Sequence, residues 1–230
     1  MIQKRMSLVE GLAIIATLCA VLLTGLAVRR EFLSRRDPSA AMLPNRRLDD
    51  WAAIIADGRQ LGLSNGIQVL VFSDFECPAC RMFHERVLRP ALQEFGSKIT
   101  FIHRHLPLDY HRFARPAAQA AECAALSGHF FPMHDALFQY HDSLGLKPFI
   151  EIAAEAGVQD LIQFERCRKS SGGNERIDRD LSVAKALSLP GTPAIAIDGV
   201  LLGSAPDSAS FVGMINDRLN GAPIPAAAGN

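Results

Sequence analysis

The longest apolar run of the chain lies near its N-terminus. Residues 11–28 contain no charged residue, and a run of this length is at the short end of what crosses a bilayer. Lys4 and Arg5 precede it, and residues 25–27 (GLA) form a small-x-small cleavage pattern. We therefore expect a membrane anchor or signal helix within residues 1–36, and the length of the run favours a retained anchor over a cleaved signal.

The remaining pattern predicts a linker over residues 37–47, one α/β domain over residues 48–220 and a disordered tail over residues 221–230. Apolar runs at residues 68–72 and 99–103 predict buried strands. Two further runs on either side of Asp198-Gly199 predict a β-hairpin. Helical patterns fill the intervals, at residues 51–61, 78–95, 115–138 with a break around Gly128 and Pro132, 148–156, 161–170, 174–187 and 208–219.

Composition and charge limit the possible functions. With 49% hydrophobic residues, the chain can bury a full core without the help of disulfides. Its 24 basic residues balance 24 acidic residues, so the net charge gives no indication of nucleic-acid binding. Of five cysteines, Cys19 lies in the N-terminal apolar run, where it is interpreted as an apolar helix residue. The other four would suit two bridges in an oxidising compartment.

Cys77 and Cys80 carry the candidate chemistry. They form a Cys-Pro-Ala-Cys motif just after the first predicted strand. Residues three apart on a helix lie on one face, within the distance that a disulfide bridges. At the helix N-terminus, unpaired amide groups and the helix dipole stabilise a thiolate at Cys77. We expect Cys77 to form a mixed disulfide and the more buried Cys80 to resolve it.

A zinc site is the main alternative for a Cys-x-x-Cys motif, because half of a zinc site has the same spacing. Cys123 and Cys167 are isolated, without a nearby second motif of cysteines or histidines. We therefore predict no metal site. The seven histidines are scattered, lone histidines are usually surface or capping residues, and none is assigned to catalysis. His84, four residues after Cys80, is expected to face away from the cysteine pair.

Four segments point in combination to one family: FSDFECPACRMFHERVLRPAL, RPAAQAAECAALSGHFFPMHDALF, FERCRKSSG and LSLPGTPAIAIDGVLLG. Over residues 45–220 the chain resembles the DsbA-like thioredoxin-fold family of thiol-disulfide oxidoreductases. The resemblance implies a thioredoxin core with a helical insertion after the second strand. It also implies that Pro193 is cis and faces the cysteine pair, and that the backbone at Thr192 pairs with substrate. Some members have a structural disulfide in the insertion, so Cys123 and Cys167 are either bridged or two buried thiols.

The chain departs from the family pattern at two positions. Many members carry a buried acid six residues before the first cysteine, where this chain has Val71. Strongly oxidising members often have a histidine before the second cysteine, where this chain has Ala79. Asp74 and Glu76 are interpreted as solvated loop acids rather than as replacements for the missing acid. We therefore expect a less oxidising couple than that of the strong oxidants.

The expected function is disulfide exchange with protein or peptide substrates, with no cofactor beyond the redox-active disulfide. Membrane anchoring implies a membrane redox partner and a domain that faces the periplasm or another extracytoplasmic space. Arg29, Arg30, Arg35 and Arg36 conflict with this orientation, because positive charges usually stay inside. The chemistry of the cysteines outweighs that count.

Three alternatives to this function remain. Oxidase and reductase use the same residues, so the direction of electron flow is open. An anchored copper-delivery protein would also use two cysteines. Such proteins have a Cys-x-x-x-Cys motif with a distal histidine, whereas this chain has Cys-x-x-Cys and a Thr-Pro loop. A non-catalytic thioredoxin-like binding domain is the third.

Overall fold

The computed structural model describes residues 17, 18, 21, 22, 24, 44–63 and 65–226. The chain divides into two units, Met1–Met42 and Leu43–Asn230. The described residues of the first unit are helical. Among the described residues, no helix has the length and apolar character needed to cross a membrane. Most of the predicted anchor, and Cys19 with it, lies outside the described residues.

The described part of the second unit contains a six-stranded mixed sheet. Its strands are β1 (Arg46–Arg47), β2 (Arg59–Leu61), β3 (Ile67–Ser73), β4 (Ile99–His105), β5 (Ala194–Ile197) and β6 (Val200–Leu201). They lie in the order β1-β6-β5-β3-β4-β2. Strands β3 and β4 are parallel, whereas the other neighbouring pairs are antiparallel. A helical crossover connects the parallel pair, as parallel strands require.

Helices cover both faces of the sheet and form the insertion between β4 and β5. They are α1 (Trp51–Ala56), α2 (Pro78–Phe83), α3 (Arg89–Phe95), α4 (Ala114–Ala125), α5 (Phe130–Gln139), α6 (Phe149–Glu155), α7 (Leu161–Lys169), α8 (Asn174–Ala186) and α9 (Ser208–Leu219). The resulting architecture is the predicted thioredoxin-like α/β fold with a helical insertion.

Alternation along β3 explains why both faces of the sheet are covered. Val69 and Val71 belong to an apolar cluster with residues of α2, α3 and α9. Leu70 and Phe72 belong to another cluster, with residues of α1 and α8. Successive side chains of a strand point to opposite faces, so the near-continuous apolar run of β3 requires a layer of helices on each side.

The helix that follows the cysteine motif runs from α2 into α3 through a π-helical turn at His84–Leu88. Pro90 lies in the first turn of α3. Proline has no N–H to donate to the carbonyl four residues earlier and its ring crowds that carbonyl, so the wider turn accommodates it. Gly96, with φ +54°, ends the helix. The predicted helix over residues 78–95 is confirmed, with this one irregular turn.

The predicted hairpin between β5 and β6 is also confirmed. Asp198 and Gly199 form its two-residue turn, with φ values of +45° and +83°. A tight hairpin turn of this type requires positive φ at both positions, which glycine and aspartate tolerate best.

Two element boundaries differ from the prediction. The predicted helix over residues 51–61 ends at Ala56, and residues 59–61 form β2 instead. A side chain at Gly58 would place its Cβ 2.4 Å from Ile102 of β4, so the glycine permits the close approach from which β2 pairs with β4. In the helical block, the break lies at Gly128, with φ +78°. Pro132 lies inside the first turn of α5, where its missing donor has no intrahelical partner in any case.

Both predicted ends of the domain need correction. Arg46 and Arg47, assigned to the linker, pair with β6 as β1, because the backbone of β6 offers them hydrogen-bonding partners. The predicted disordered tail is wrong for residues 221–226: Ile224 is buried in the core, and the Asn45 side chain donates to the carbonyl of Pro225 at 2.9 Å. Burial of one apolar side chain and this hydrogen bond hold the segment. Residues 227–230 lie outside the described residues.

Candidate active site

Cys77 and Cys80 lie where the end of β3 leads into α2. Cys77 is the N-terminal capping residue of α2, in extended conformation, and Pro78 occupies the first helical position. The proline fits because that position has no helical acceptor for an N–H. Cys77 is 7% exposed and Cys80 is 1% exposed, and both are free thiols. Both residues are therefore buried, Cys80 more deeply than Cys77.

The two thiols have pKa values displaced in opposite directions. A hydrogen bond from the Cys80 thiol lowers the pKa of Cys77 to about 5, against the effect of burial, and the backbone N–H groups of Cys80 and Ala79 add to the lowering. Burial, followed by the hydrogen bond and charge of Cys77, raises the pKa of Cys80. Near neutral pH, Cys77 is therefore a thiolate and Cys80 a thiol. These are the protonation states needed for an attacking and a resolving sulfur.

The Thr192–Pro193 loop lies against Cys77. The peptide bond between the two residues is cis, as the resemblance implies, and Cys77 in its protonated form donates to the Thr192 carbonyl at 3.6 Å. Antiparallel pairing of Phe72 with Ala194 sets this arrangement, because it brings the end of β3 beside the start of β5.

A cavity borders this loop. It has a volume of about 480 Å³ and is lined mainly by residues 188–194 and 201–204. Pro193 is part of its wall, so the loop contacts the Cys77 thiol and also borders an open space.

Asp74 is not the solvated loop acid that the sequence predicted. It is fully buried, and its carboxylate accepts from the backbone N–H of Glu76 at 2.7 Å and of Leu108 at 2.8 Å. His111 Nδ1 lies 2.8 Å from the same carboxylate. The loop before Cys77 has backbone donors that need partners, and Asp74 provides them. With these contacts the carboxylate shapes the loop before Cys77.

Glu76 and Val71 complete the surroundings of the motif. Glu76 is half-buried, and its carboxylate accepts from the backbone N–H of Phe113, which connects the loop to the start of α4. The predicted solvation of this acid is therefore also wrong. Val71 is buried in β3, so no acid lies at the position where the resemblance leads us to expect one. The Cys80 sulfur accepts a hydrogen bond from the backbone N–H of Asp74 at 3.5 Å.

Four histidines are buried beneath this site, contrary to the expectation of surface or capping roles: His84, His103, His105 and His134. The His84 and His134 ring centroids are 4.9 Å apart, and those of His103 and His134 are 5.1 Å apart. Phe75, from the loop before Cys77, stacks on His103 at 5.5 Å. The period-two spacing of His103 and His105 within an apolar strand was a signal that both could share a buried face.

Burial disfavours the charged form of three of these histidines. It lowers the pKa of His84 to about 3, with a further contribution from the charge of His134. It is also the main cause of the lowered pKa values of His103 and His134. His84 packs between α2 and α5, with its ring stacked on Phe138 at 4.8 Å. The cluster is therefore an aromatic and imidazole core between the sheet and the insertion.

Cys123 and Cys167 are joined by a disulfide, one of the two alternatives left open by the sequence. Their Cα atoms are 5.7 Å apart, and the bond connects α4 to α7 within the insertion. Cys167 packs beside Gly172, where a Cβ would lie 2.4 Å from its sulfur. The bridge therefore lies in a tightly packed region, in the same apolar cluster as Cys77 and Cys80.

A comparison with models of known protein families identifies the family of this chain. The family model described as thioredoxin matches residues 61–217, which is most of the chain. This chain belongs to the thioredoxin family.

Solved structures place this thioredoxin-family protein within the DsbA-like fold. Oxidised BdbD from Bacillus subtilis superposes with a TM-score of 0.66 at 16% identity, covering 77% of this chain and 98% of that one. The alpha-DsbA1 structure from Wolbachia pipientis gives a TM-score of 0.60 at 24% identity, covering 71% of this chain and 91% of that one. At these identities the likeness shows the fold.

A curated relative at higher identity is much longer than this thioredoxin-family protein. This relative is Na(+)/H(+) antiporter NhaA 3 of Salinispora tropica, to which the present chain is 36% identical over 134 residues. The matched residues make up 58% of this chain and 20% of the relative. The chain thus spans about a fifth of the length of that relative.

Proposed function

We propose that this thioredoxin-family protein is a thiol-disulfide oxidoreductase that acts on protein or peptide substrates. The observation that carries the proposal is the opposite displacement of the two thiol pKa values within one Cys-Pro-Ala-Cys motif. A nucleophilic thiolate at Cys77 and a protonated reserve thiol at Cys80 are what stepwise disulfide exchange requires. The redox-active disulfide is the only cofactor that this reaction needs.

In the oxidising direction the reaction has two exchange steps. A substrate thiolate attacks the Cys77 sulfur of the Cys77–Cys80 disulfide, which forms a mixed disulfide and releases Cys80 as a thiolate that takes up a proton. A second substrate thiolate then attacks the substrate sulfur and releases Cys77. Two electrons pass from substrate to enzyme. Cys77 is the better leaving group because its pKa is low. Reversal of the same steps reduces a substrate disulfide.

Thr192 and Pro193 are proposed as the substrate-binding platform. The Cys77 thiol reaches the Thr192 carbonyl, so a peptide paired with the backbone of Thr192 would carry its sulfur next to Cys77. The neighbouring cavity of about 480 Å³ would receive a side chain of the same peptide. Backbone pairing supplies affinity without selecting a particular sequence, which suits an enzyme with varied protein substrates.

We further propose that the chain is anchored by its N-terminal apolar run, with the domain on the extracytoplasmic side and a membrane redox partner. The Cys123–Cys167 disulfide supports this location, since structural disulfides persist in oxidising compartments. Protease treatment of intact spheroplasts tests it: the domain should be degraded while a cytoplasmic marker survives. Protection of the domain until the cells are lysed would contradict this orientation.

Trapping of mixed disulfides tests the enzymatic role. A Cys80→Ser variant should accumulate adducts with cellular proteins through Cys77, because the resolving thiol is missing. A Cys77→Ser/Cys80→Ser variant is the matched control and should form none. If the single variant captures no more protein than the double variant, the proposed reaction is wrong.

We predict a reduction potential between those of thioredoxin and of a strong periplasmic oxidant, about −270 mV and about −120 mV respectively. The pKa of Cys77, about 5, lies between the values of about 7 and about 3.5 for the corresponding cysteines. Ala79 provides no imidazole to stabilise the thiolate further. Equilibration of the chain with glutathione buffers would measure the potential, and a value equal to that of the strong oxidant would contradict the prediction.

A further inference from the structure

Two histidines and one carboxylate converge where the helix of the cysteine motif meets the insertion. His134 Nδ1 lies 3.0 Å from Asp135 Oδ1, and His84 Nε2 lies 3.4 Å from the same oxygen. One possible ligand atom from each of the three residues lies within 4.8 Å of the other two. His84 comes from the π-helical turn and the other two from α5. Two rigid elements therefore bring the three groups together.

Burial distinguishes this cluster from an ordinary surface group. The His84 and His134 side chains are almost completely buried, whereas the Asp135 side chain is 55% exposed. His84 Nδ1 is buried and has no hydrogen-bond partner among the described residues. Its imidazole thus has its one polar contact on the side that faces Asp135. Phe138 holds the ring in place by stacking.

We propose that His84, His134 and Asp135 form a binding site for a divalent first-row transition metal ion, with Zn²⁺ as the reference ion. Imidazole nitrogen and carboxylate oxygen are established zinc ligands, and three protein ligands leave a fourth position for water. Metal–ligand bonds of about 2.1 Å in a tetrahedral site place ligand atoms about 3.4 Å apart. The two separations that involve Asp135 lie close to that value, and the ligand atoms of His84 and His134 lie within 4.8 Å of each other.

The proposed site is open to solvent on one side and lies between two elements of the fold. The exposed carboxylate provides an open side for the ion, while the buried imidazoles provide a fixed pair of donors. A bound ion would connect the helix that carries Cys77 and Cys80 to α5 of the insertion. This inference is independent of the proposed redox function, because neither cysteine is a ligand.

The test must exclude binding by free thiols and by purification tags. We would therefore use the untagged full-length chain with Cys19→Ser, Cys77→Ser and Cys80→Ser, and titrate it with Co²⁺. We expect one Co²⁺ per chain, visible ligand-field bands without thiolate-to-cobalt charge transfer, and displacement by Zn²⁺. Absence of stoichiometric binding would overturn the proposal.

The chain offers a matched control for the ligand. His141 and Asp142 form the same His-Asp dipeptide, with Nδ1 and Oδ1 3.1 Å apart. In the thiol-free background, Asp135→Asn should weaken Co²⁺ binding by more than about 100-fold, because loss of an outer partner alone costs about 10–100-fold. Asp142→Asn should bind Co²⁺ as the parent does.

Zn²⁺ should raise the melting temperature of the parent and of the Asp142→Asn variant more than that of the Asp135→Asn variant, since a ligand that binds the folded state stabilises it. Melting curves recorded without metal show whether each variant is folded. Equal Co²⁺ affinities of the two variants would assign the binding elsewhere and refute the proposal.

Discussion

The Cys77 sulfur accepts hydrogen bonds from the Cys80 thiol and from backbone N–H groups at the start of α2, whereas the Cys80 sulfur is enclosed by the core. The same short motif thus contains an acidic thiol and a weakly acidic one. Their order follows from the helix: the first residue meets the unpaired N–H groups, and the fourth points inward. This difference is local, and it is the part of the site that the sequence predicts best.

Alkylation of the reduced chain should reveal this difference. Because the folded pKa of Cys77 is about 5, its thiolate fraction and its rate of reaction with iodoacetamide should rise with a midpoint near that pH and then level off. Cys80 should remain unmodified through neutral pH because its pKa is raised and it is buried. Mass spectrometry of the two modified positions measures both rates. A midpoint near the ordinary thiol pKa of about 8.5 would contradict the predicted acidity.

Asp180 is a second residue for which burial matters, in this case for its contribution to the free energy of unfolding. Its carboxylate accepts from Arg104 Nη1 and from the His105 backbone N–H, and both side chains of the ion pair are buried. Asp180→Ala would leave the Arg104 guanidinium buried without its charge partner, at a cost of about 3–5 kcal/mol in the free energy of unfolding. Denaturant unfolding of the variant measures this loss.

The matched control for that prediction lies two residues away on α8. Asp178 forms an ion pair with Arg115, and both side chains are exposed to solvent. Exposed pairs contribute about 0–1 kcal/mol, so Asp178→Ala should change the free energy of unfolding by less than about 1 kcal/mol. Similar losses in the two variants would show that the buried pair has no special role.

At the scale of elements, the sequence predicts segments with a strong internal signal. The strand at β3, the helix that begins at Pro78 and the Asp198-Gly199 turn all have such signals. Residues 57–61 lack one, because the strand β2 exists only by pairing with β4, which is distant in sequence. The same limitation applies to β1. Short strands that depend on a non-local partner cannot be predicted from local periodicity.

Two glycines should respond in opposite ways to the same substitution. Gly199 has φ +83° in the hairpin turn, where a side chain costs about 1–2 kcal/mol, so Gly199→Ala should lower the free energy of unfolding by that amount. Gly213 lies within α9, and a Cβ there would meet nothing within 4 Å. Gly213→Ala should therefore raise stability by about 0.5–1 kcal/mol. Denaturant melts compare the two variants, and changes of the same sign would disagree with the assigned backbone conformations.

At the scale of the whole molecule, the resemblance gives the fold but not the interior of the insertion. His84 is on a helix whose sequence suggests a surface position, and α5 buries it only in the folded chain. Asp74 looks like a loop acid until the backbone donors of Glu76 and Leu108 surround it. Burial of a polar residue depends on several distant segments at once, so a single sequence does not reveal it.

The disulfide of the insertion is a property of this same scale. Cys123 and Cys167 are 44 residues apart in the chain, and closing a loop of that length is worth about 4 kcal/mol on the chain-entropy account. A Cys123→Ala/Cys167→Ala variant should therefore lose about 2–4 kcal/mol in the free energy of unfolding, measured by denaturant unfolding under non-reducing conditions. Cys19→Ser is a control expected to leave stability unchanged. Peptide mapping without reductant should recover the linked pair, and two free thiols would contradict the bridge.

The outermost strands of the sheet give the protein a further property. β1 has two residues and β2 has three, and each begins with arginine. Such short, charged edges discourage another chain from adding to the sheet. An oxidoreductase of the proposed kind would meet partly unfolded clients that expose strands of their own. This sheet offers them little to extend, so an oxidoreductase of the proposed kind would bind a client at one loop without promoting its aggregation.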